Sequence, residues 1–340
     1  MQQIEFGPDP GAESLRLATA PVPRVAAGDL LIAVAYAGVN RPDLMQRSGK
    51  YPPPPGASPV LGLEVSGHVA ALGENVTGWK VGDAVCALTP GGGYAQYCTA
   101  PAGQALPVPS ALSLEQAGGL CETWFTVWVN VVDIGHLQPG ERLLVHGGSS
   151  GVGLTAIALA GLRGAECIVT VGDDEKAKFC REFGAVAAIN YRTEDFVAKV
   201  RQLTSIPTST ATAAGRSDGA GVELVLDMVG GDYVPRNLQV LCRDGRHVSI
   251  ALQRGARAEI DFNLVMRNRL VLTGSTMRPR TIVEKTAIRD ALLREVWPAM
   301  AAGKIRTHIH ATFPLAQAAE AHCLMESGRH IGKIVLRVAP

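Results

Sequence analysis

The sequence predicts an α/β protein in two parts: a compact β-rich N-terminal half, followed by a doubly wound parallel sheet. Three observations carry this prediction. Residues 143–153 read Leu-Leu-Val-His-Gly-Gly-Ser-Ser-Gly-Val-Gly, an apolar strand that enters a glycine-rich turn and then an Ala/Leu-rich helix. From Arg142 to Thr273 strand-like and helix-like segments alternate, the pattern of parallel strands joined by helices on both faces. Between Gly62 and Cys98 short apolar runs are broken by glycines, which suits an antiparallel or barrel-like β domain.

Taken in order, Leu30 to Val39 is aliphatic and β-branched and forms a strand that ends at Asn40-Arg41-Pro42-Asp43, where a polar loop is expected. Tyr51 is followed by four prolines and Gly56, so residues 47–62 are expected as a rigid surface loop. Strands are expected over Leu63–Ala71, Asp83–Leu88 and Tyr94–Thr99, and a helical passage over Leu114–Val132. The alternating region then predicts strands at Arg142–His146, Cys167–Val171, Val186–Asn190, Val222–Met228, His247–Leu252 and Leu270–Thr273. Helices are expected between them at Gly153–Leu162, Asp174–Phe183, Glu194–Leu203 and Val234–Leu241. Residues 204–218 are rich in Ser, Thr, Ala and Gly and read as a loop with little to bury. A long amphipathic helix over Thr281–Ala302 and a strand at Gly332–Leu336 complete the chain.

The turn at 147–153 has a physical rationale. Residues without a Cβ let backbone N–H groups approach a pyrophosphate at the positive end of the next helix. Ser150 stands where the common fingerprint has its middle glycine, so the local signal is incomplete and an ordinary strand-to-helix turn remains open.

Bulk properties narrow the field. The 340 residues suffice for two domains with their own cores, and 32 Lys+Arg against 31 Asp+Glu leave a formal charge of +1. No basic, aromatic-interleaved stripe points to nucleic acid, and no run reaches membrane-spanning length. The seven cysteines are scattered without a C-x-x-C pair, arguing against a disulfide framework or zinc ribbon and for reduced thiols. A soluble, cytoplasmic protein is expected.

Six motifs lie along the chain: Gly38-Val39-Asn40-Arg41-Pro42-Asp43-Leu44, Leu61-Gly62-Leu63-Glu64-Val65-Ser66-Gly67, Gly91-Gly92-Gly93-Tyr94-Ala95-Gln96-Tyr97, Ser150-Gly151-Val152-Gly153, Ala188-Ile189-Asn190-Tyr191 and Gly332-Lys333-Ile334-Val335-Leu336. Together they resemble the medium-chain dehydrogenase/reductase superfamily, in particular its zinc-free NADPH:quinone oxidoreductase (zeta-crystallin-like) branch. The resemblance covers nearly the whole chain. It implies a GroES-like β domain over 1–119, a Rossmann domain over 120–280, and a tail over 281–340 that returns to the GroES-like domain. The 204–218 insertion departs from the family pattern.

The resemblance also assigns chemistry. Zinc-dependent relatives are similar but carry Cys where this chain has Asn40 and His where it has Leu63, and add a lobe of four Cys, so no metal is expected here. Glu64 is best read as a carboxylate satisfying backbone or Arg donors inside the β domain. Asn40, Tyr51 and Thr126 occupy positions that in related enzymes border the nicotinamide and the substrate. Asn40 would donate to a quinone oxygen, Tyr51 would meet substrate or cofactor through its phenol, and Thr126 would fix the carboxamide face. Each has an ordinary role open to it as well: a loop turn, a ring packed on prolines, and a helix hydroxyl bonding backward. His146 reads as a strand-end residue, not a base.

An acid about 20 residues after the glycine turn would hold the ribose of NADH, and counting from Gly153 lands on Gly172 or Asp173. NADPH-using quinone reductases resemble this chain in placing a small residue at the strand end, a Lys four positions on and a Tyr after the third strand. Here these are Gly172, Lys176 and Tyr191, with Arg192 adjacent, so NADPH is the expected cofactor. Asp173 and Asp174 would cap the following helix. Further cofactor contacts implied by the resemblance are Ser149, Ser150, Gly151, Val152 and Gly153 at the pyrophosphate, then Gly231, then Ile250, Ala251, Leu252 and Gln253, then Gly274, Ser275 and Thr276. Residues 270–277 form an apolar edge strand suited to pairing with a second copy, so a homodimer is expected. The leading function is hydride transfer to quinones. An enone or 2-alkenal reductase uses the same fold and cofactor, and RNA binding or a structural crystallin-like role is the alternative of another class.

Overall fold

The computed structural model describes residues 1–205 and 220–338, so most of the 204–218 insertion lies outside the described residues. The chain forms two compact units, residues 1–125 with 278–340, and residues 126–277. The divisions fall at 125/126 and 277/278, against the expected 119/120 and 280/281. The first shift has a local cause: the amide of Glu122 donates to Glu64 of the β unit, holding the start of its helix there.

The first unit opens with a hairpin-like pair, β1 (Gln2–Phe6) and β2 (Leu15–Thr19), antiparallel to each other. Next comes β3 (Asp29–Val39), whose run of Leu, Ile and Val lets it pair with several neighbours. A helix follows at once, α1 (Arg41–Arg47), where a polar loop was expected. Asn40 is its N-cap residue, Pro42 sits in its first turn where a missing N–H costs nothing, and Asp43 Oδ2 accepts from the Asn40 amide at 2.8 Å. Strands β4 (Glu64–Leu72), β5 (Ala84–Leu88), β6 (Tyr97–Pro101) and β7 (Ala105–Pro107) complete this half of the sheet.

The expected helical passage at 114–132 is broken. Helix α2 (Leu114–Ala117) stops before Gly118-Gly119, and α3 (Cys121–Val127) runs into a wide π-helical segment at Trp128–Ile134. The glycines are there for space: a Cβ on Gly119 would press on the stem of Lys333 at 3.1 Å.

The second unit is β8 (Arg142–His146), α4 (Gly151–Leu162), β9 (Glu166–Val171), α5 (Asp174–Phe183), β10 (Ala187–Asn190), α6 (Phe196–Thr204), β11 (Val222–Asp227), α7 (Tyr233–Val240), β12 (Leu241–Ser249), α8 (Phe262–Asn268) and β13 (Val271–Gly274). Its strands run parallel in the order β10-β9-β8-β11-β12-β13, the doubly wound sheet read from the alternation. Helix α8, not anticipated, fills the connection before the edge strand β13. The core packs Leu144, Ile168, Ile189, Phe196, Val200 and Val225, each at most 3% exposed, each contributing roughly 1.5–3 kcal/mol by burial.

The tail contributes α9 (Ile282–Glu295), α10 (Trp297–Ala301), β14 (Ile309–Pro314), α11 (Ala318–Ser327) and β15 (Lys333–Arg337). The single long helix expected over 281–302 is two: Pro298 has no N–H to donate back into α9, so the chain breaks at Val296 and Pro298 sits in the first turn of α10. Strand β15 pairs antiparallel with β3, Ile334 opposite Val39, in a sheet ordered β14-β15-β3-β4-β5-β7, with β6 also on β3. That register delivers Lys333 to the end of β3. No helix among the described residues is long and apolar enough to cross a membrane.

Candidate active site

In the second unit the glycine turn is built as its sequence suggests. Ser150 is the N-cap of α4 and its hydroxyl accepts from the Gly153 amide at 3.1 Å, which removes one of the orphan donors at that end. A Cβ on Gly153 would lie 2.3 Å from the Gly148 carbonyl oxygen, and one on Gly148 would lie 2.3 Å from Val169 Cβ. Both positions therefore admit only glycine. The result is a cradle of backbone amides at a helix N-terminus, the arrangement that receives a pyrophosphate.

The residues read from the sequence as choosing the cofactor lie at the end of β9, in the first turn of α5 and just after β10. A Cβ on Gly172 would lie 2.9 Å from the Tyr191 hydroxyl and 3.7 Å from Arg192 Nε, so the end of β9 faces the chain just after β10. Lys176 stands in the first turn of α5 with its ammonium 3.8 Å from Asp173. Asp173 caps α5, accepting from the Lys176 amide at 2.8 Å; Asp174 does not cap but accepts from Asn190 Nδ2 at 2.8 Å, tying β10 to α5. At this strand end Asp173 is engaged as a helix cap and Asp174 in the bond to Asn190, with Lys176, Tyr191 and Arg192 close by.

The remaining cofactor candidates gather at the carboxyl ends of β11, β12 and β13. Arg254 N donates to the Val229 carbonyl and Gly231 N to Gly255, which brings Gly231 against the stretch holding Ile250, Ala251, Leu252 and Gln253. Gly274 sits so close to Ser249 that a Cβ would meet its carbonyl oxygen at 2.7 Å, and Ser275 Oγ donates to Asn130 Oδ1 at 2.8 Å. Asn130 belongs to the π-helical segment, a geometry that often marks functional sites. Thr126 ends the same helical passage, half-buried, its carbonyl accepting from Asn130 Nδ2.

Beneath this surface lies a buried relay that the sequence did not reveal. His146 Nδ1 is 2.9 Å from Thr170 Oγ1 and its Nε2 is 2.7 Å from Asn237 Oδ1; His247 Nε2 is 3.1 Å from Asp227 Oδ2. Burial keeps His146 below its usual pKa, so it is a neutral packing group between Phe196 and Tyr233. Burial opposes the charge on Asp227, yet the bond with His247 and the Val229 amide hold its carboxyl low. Asp227 thereby fixes the turn after β11.

In the first unit the candidates are held by side chains from distant parts of the chain. Asn40 Nδ2 donates to Glu64 Oε1 at 2.9 Å and to the Gly38 carbonyl at 3.4 Å, while its Oδ1 accepts from Lys333 Nζ at 2.6 Å. Lys333 also donates to Glu64 at 2.7 Å and to the Val39 carbonyl. Glu64 is therefore satisfied by a backbone amide, one of the two kinds of donor expected, and by an amide side chain and a Lys in place of the Arg alternative. Beside it runs a second chain of bonds: Arg47 Nη1 donates to His322 Nδ1 at 2.9 Å, His322 Nε2 lies 3.1 Å from Tyr94 Oη, and Tyr94 reaches Asp43 at 3.4 Å. Burial, reinforced by Arg47, lowers the His322 pKa to about 3, and burial raises that of Asp43 to about 6.

Tyr51 is half-buried, with the Arg278 guanidinium 5.4 Å from its ring centre. Burial, and after it Glu122, raises its phenol pKa; Glu122 is itself pushed up to about 7 by burial and by Glu64. Glu122, Arg278, Lys285, His322 and Lys333 were not singled out from the sequence as site residues, and nothing local marks them. Among the described residues no three His, Cys, Asp or Glu side chains group to hold a metal ion.

Residues 26–110 match the alcohol dehydrogenase GroES-like domain and residues 183–336 the zinc-binding dehydrogenase family. The Escherichia coli quinone oxidoreductase complexed with NADPH is 30% identical, with a TM-score of 0.85 over 99% of this chain and 100% of that one. The chain belongs to the medium-chain dehydrogenase/reductase superfamily, in its zinc-free quinone oxidoreductase branch. A mycobacterial relative complexed with NADPH is also 30% identical, with a TM-score of 0.83 over 99% of this chain and all of the other. The CurK enoyl reductase is 25% identical, with a TM-score of 0.82 over 99% of each chain. Among curated sequences, a phenolphthiocerol/phthiocerol polyketide synthase subunit of Mycobacterium tuberculosis is 30% identical over 90% of this chain, which spans only 13% of that protein.

Proposed function

We propose that this oxidoreductase passes a hydride from NADPH to quinones. The observation that carries the reading is its 30% identity, over essentially the full length of both chains, to a quinone oxidoreductase that holds NADPH. NADPH is the cofactor, and when bound it supplies the hydride. The amides of Ser149 to Gly153 would take its pyrophosphate, in a cradle where a Cβ on Gly153 cannot fit. Lys176, Tyr191 and Arg192 would neutralise its 2′-phosphate around the Cβ-free space at Gly172. Gly231, the 250–253 stretch and the 274–276 stretch would line the rest of the dinucleotide.

On the acceptor side, Tyr51 would present its phenol, kept protonated by burial and the neighbouring Glu122. Asn40 would donate to an acceptor oxygen at the expense of its long bond to Gly38, with Glu64 and Lys333 holding its plane fixed. Thr126 would orient the carboxamide of the cofactor. A second reading, reduction of an activated C=C bond, is supported by the likeness to an enoyl reductase and by Glu122, a half-buried carboxyl poised near neutrality that could refill a proton given up by Tyr51. Edge strand β13, paired among the described residues only with β12 and exposing Val271, supports dimerisation with a second copy.

Steady-state rates with NADPH and NADH against 1,4-benzoquinone, 9,10-phenanthrenequinone and a 2-alkenal test the proposal. Turnover is expected with both quinones. Turnover of the alkenal alone establishes the second reading, and none with either quinone removes the first.

A further inference from the structure

Arg278 and Lys285 are two buried cations without an acid bonded to them among the described residues. Arg278 is 8% exposed and Lys285 6%. The Arg278 guanidinium donates to the carbonyls of Tyr51 at 3.3 Å and Pro90 at 3.1 Å, and its Nε has no hydrogen-bond partner among the described residues. Lys285, in the first turns of α9, donates to the Arg278 carbonyl at 3.0 Å. Neither forms a salt bridge among the described residues, although Arg280, between them in the chain, pairs with Glu284. Burying an unpaired cation is costly, and carbonyl dipoles return only part of the cost. Glu122 and Asp43 act on Arg278 electrostatically without bonding to it. The cluster therefore keeps a positive charge and an unused N–H beside Tyr51.

We propose that Arg278, backed by Lys285, holds a negatively charged oxygen of the acceptor. This rests on the reading that Tyr51 borders the acceptor of an NADPH-dependent reduction. The charged oxygen has two sources. It can be a permanent acidic group on the acceptor, or the oxygen that receives the electron pair when hydride adds to a carbon conjugated with a carbonyl. In either case a guanidinium suits the task, since it stays charged and its planar N–H fork is fixed in advance by Tyr51 and Pro90.

Binding and turnover separate the outcomes. By calorimetry with NADP⁺ present, 9,10-anthraquinone-2-sulfonate is expected to bind the wild type and to lose at least tenfold in affinity in Arg278→Gln, with partial recovery in Arg278→Lys. In turnover, a permanent anion predicts that Arg278→Gln raises KM for 1,4-naphthoquinone-2-sulfonate and spares menadione. An oxyanion formed in the reaction predicts a tenfold or greater fall in kcat on both, with KM unchanged. Unchanged sulfonate binding together with kcat and KM within twofold on both quinones overturns the proposal. So does an equal loss on both that tracks a fall in Tm and is not relieved by Lys, which would mark Arg278 as a clamp on the Tyr51 loop. If the wild type reduces no quinone, the functional reading fails, and the calorimetric arm still decides whether Arg278 binds an anion.

Discussion

The two units build their polar sites in opposite ways. In the second unit the site is mostly backbone: Gly148, Gly153, Gly172 and Gly274 are placed where a Cβ would strike a neighbour within 3 Å, and the groups left facing outward are amides and a few cations. In the first unit it is side chains, and they come from opposite ends of the chain. Asn40 meets Lys333 across 293 residues, Arg47 meets His322 across 275, and Glu64 meets Lys333 across 269. A site made of missing Cβ atoms tolerates little change in conformation but carries little charge. A site made of buried charge depends on every partner being present.

Removing one partner from the first unit should therefore have the largest effect. Lys333→Met leaves the Glu64 carboxylate, fully buried, with an amide and a backbone N–H but no cation. Breaking a buried pair in this way costs about 3–5 kcal/mol, read as a shift in the urea midpoint. The double variant Glu64→Gln/Lys333→Met should recover much of it, because the uncompensated charge is gone. A loss under about 1 kcal/mol for Lys333→Met would mean that the knot is decorative, and the contrast between the units would collapse.

The His322 chain sharpens the same contrast through pH. Its pKa falls from 6.5 to about 3 on folding, so between these values the unfolded chain takes a proton that the native state refuses. The stability gained from neutral His322 is complete above pH 6.5 and is lost as pH falls toward 3, at about 1.4 kcal/mol per unit. Asp43 runs the other way: raised to about 6, it stabilises fully below its usual 3.8 and loses that contribution as pH rises through 6. Asp43 is common to wild type and His322→Gln, so the difference between their urea stabilities isolates the histidine. That difference should shrink steadily from pH 6.5 to 4; a flat difference would show His322 protonated in the fold. His146→Gln in the second unit should behave in the same direction, since burial lowers that histidine too.

The contrast also explains what could be read from the sequence. The parallel sheet and its glycine turn were legible because each is encoded by residues close in sequence or repeated at a regular period; Gly172 and Tyr191 came from the resemblance, and the structure places them side by side. Helix α1 was not, because Asn40-Arg41-Pro42-Asp43 is as good a turn as a capped helix start, and only the bond from the Asn40 amide to Asp43 decides between them. The long helix at 281–302 split because amphipathic spacing outvoted one proline. Lys333, His322, Arg278 and Glu122 were invisible as site residues, since a single charged residue in an ordinary strand or helix carries no sign of the partner that buries it.

For the backbone-built site the effect should appear in binding more than in folding. Gly153→Ala forces a methyl onto the Gly148 and Gly147 carbonyl oxygens, at 2.3 and 2.5 Å, and the turn must open to admit it. NADPH affinity, measured by fluorescence titration, should fall about tenfold or more, roughly 1.4 kcal/mol. Gly161→Ala, on the same helix but with nothing within 4 Å, is the control: it should leave binding alone and add roughly 0.5–1 kcal/mol of stability. Equal losses of NADPH affinity in both variants would show that helix α4, not the cradle, is at fault.

The smallest expected effect is the most selective. Lys176 is 13% exposed, stands next to its helix cap Asp173, and belongs to the one part of the second unit's site that is made of charge. Removing it with Lys176→Ala takes away a cation but buries no orphan, because Asp173 keeps the backbone amide of residue 176. Stability should therefore change little, within about 0.5 kcal/mol. The apparent KM for NADPH should rise by about three- to tenfold, the worth of one charge-assisted contact to a partly solvated phosphate, while NADH is spared. Tyr191 and Arg192 remain beside Gly172 and, on the proposed reading, would hold the rest of the 2′-phosphate, so the expected loss is bounded. An equal rise for both cofactors would place Lys176 at a group the two share, and the phosphate pocket would have to be sought elsewhere on the β9 and β10 ends.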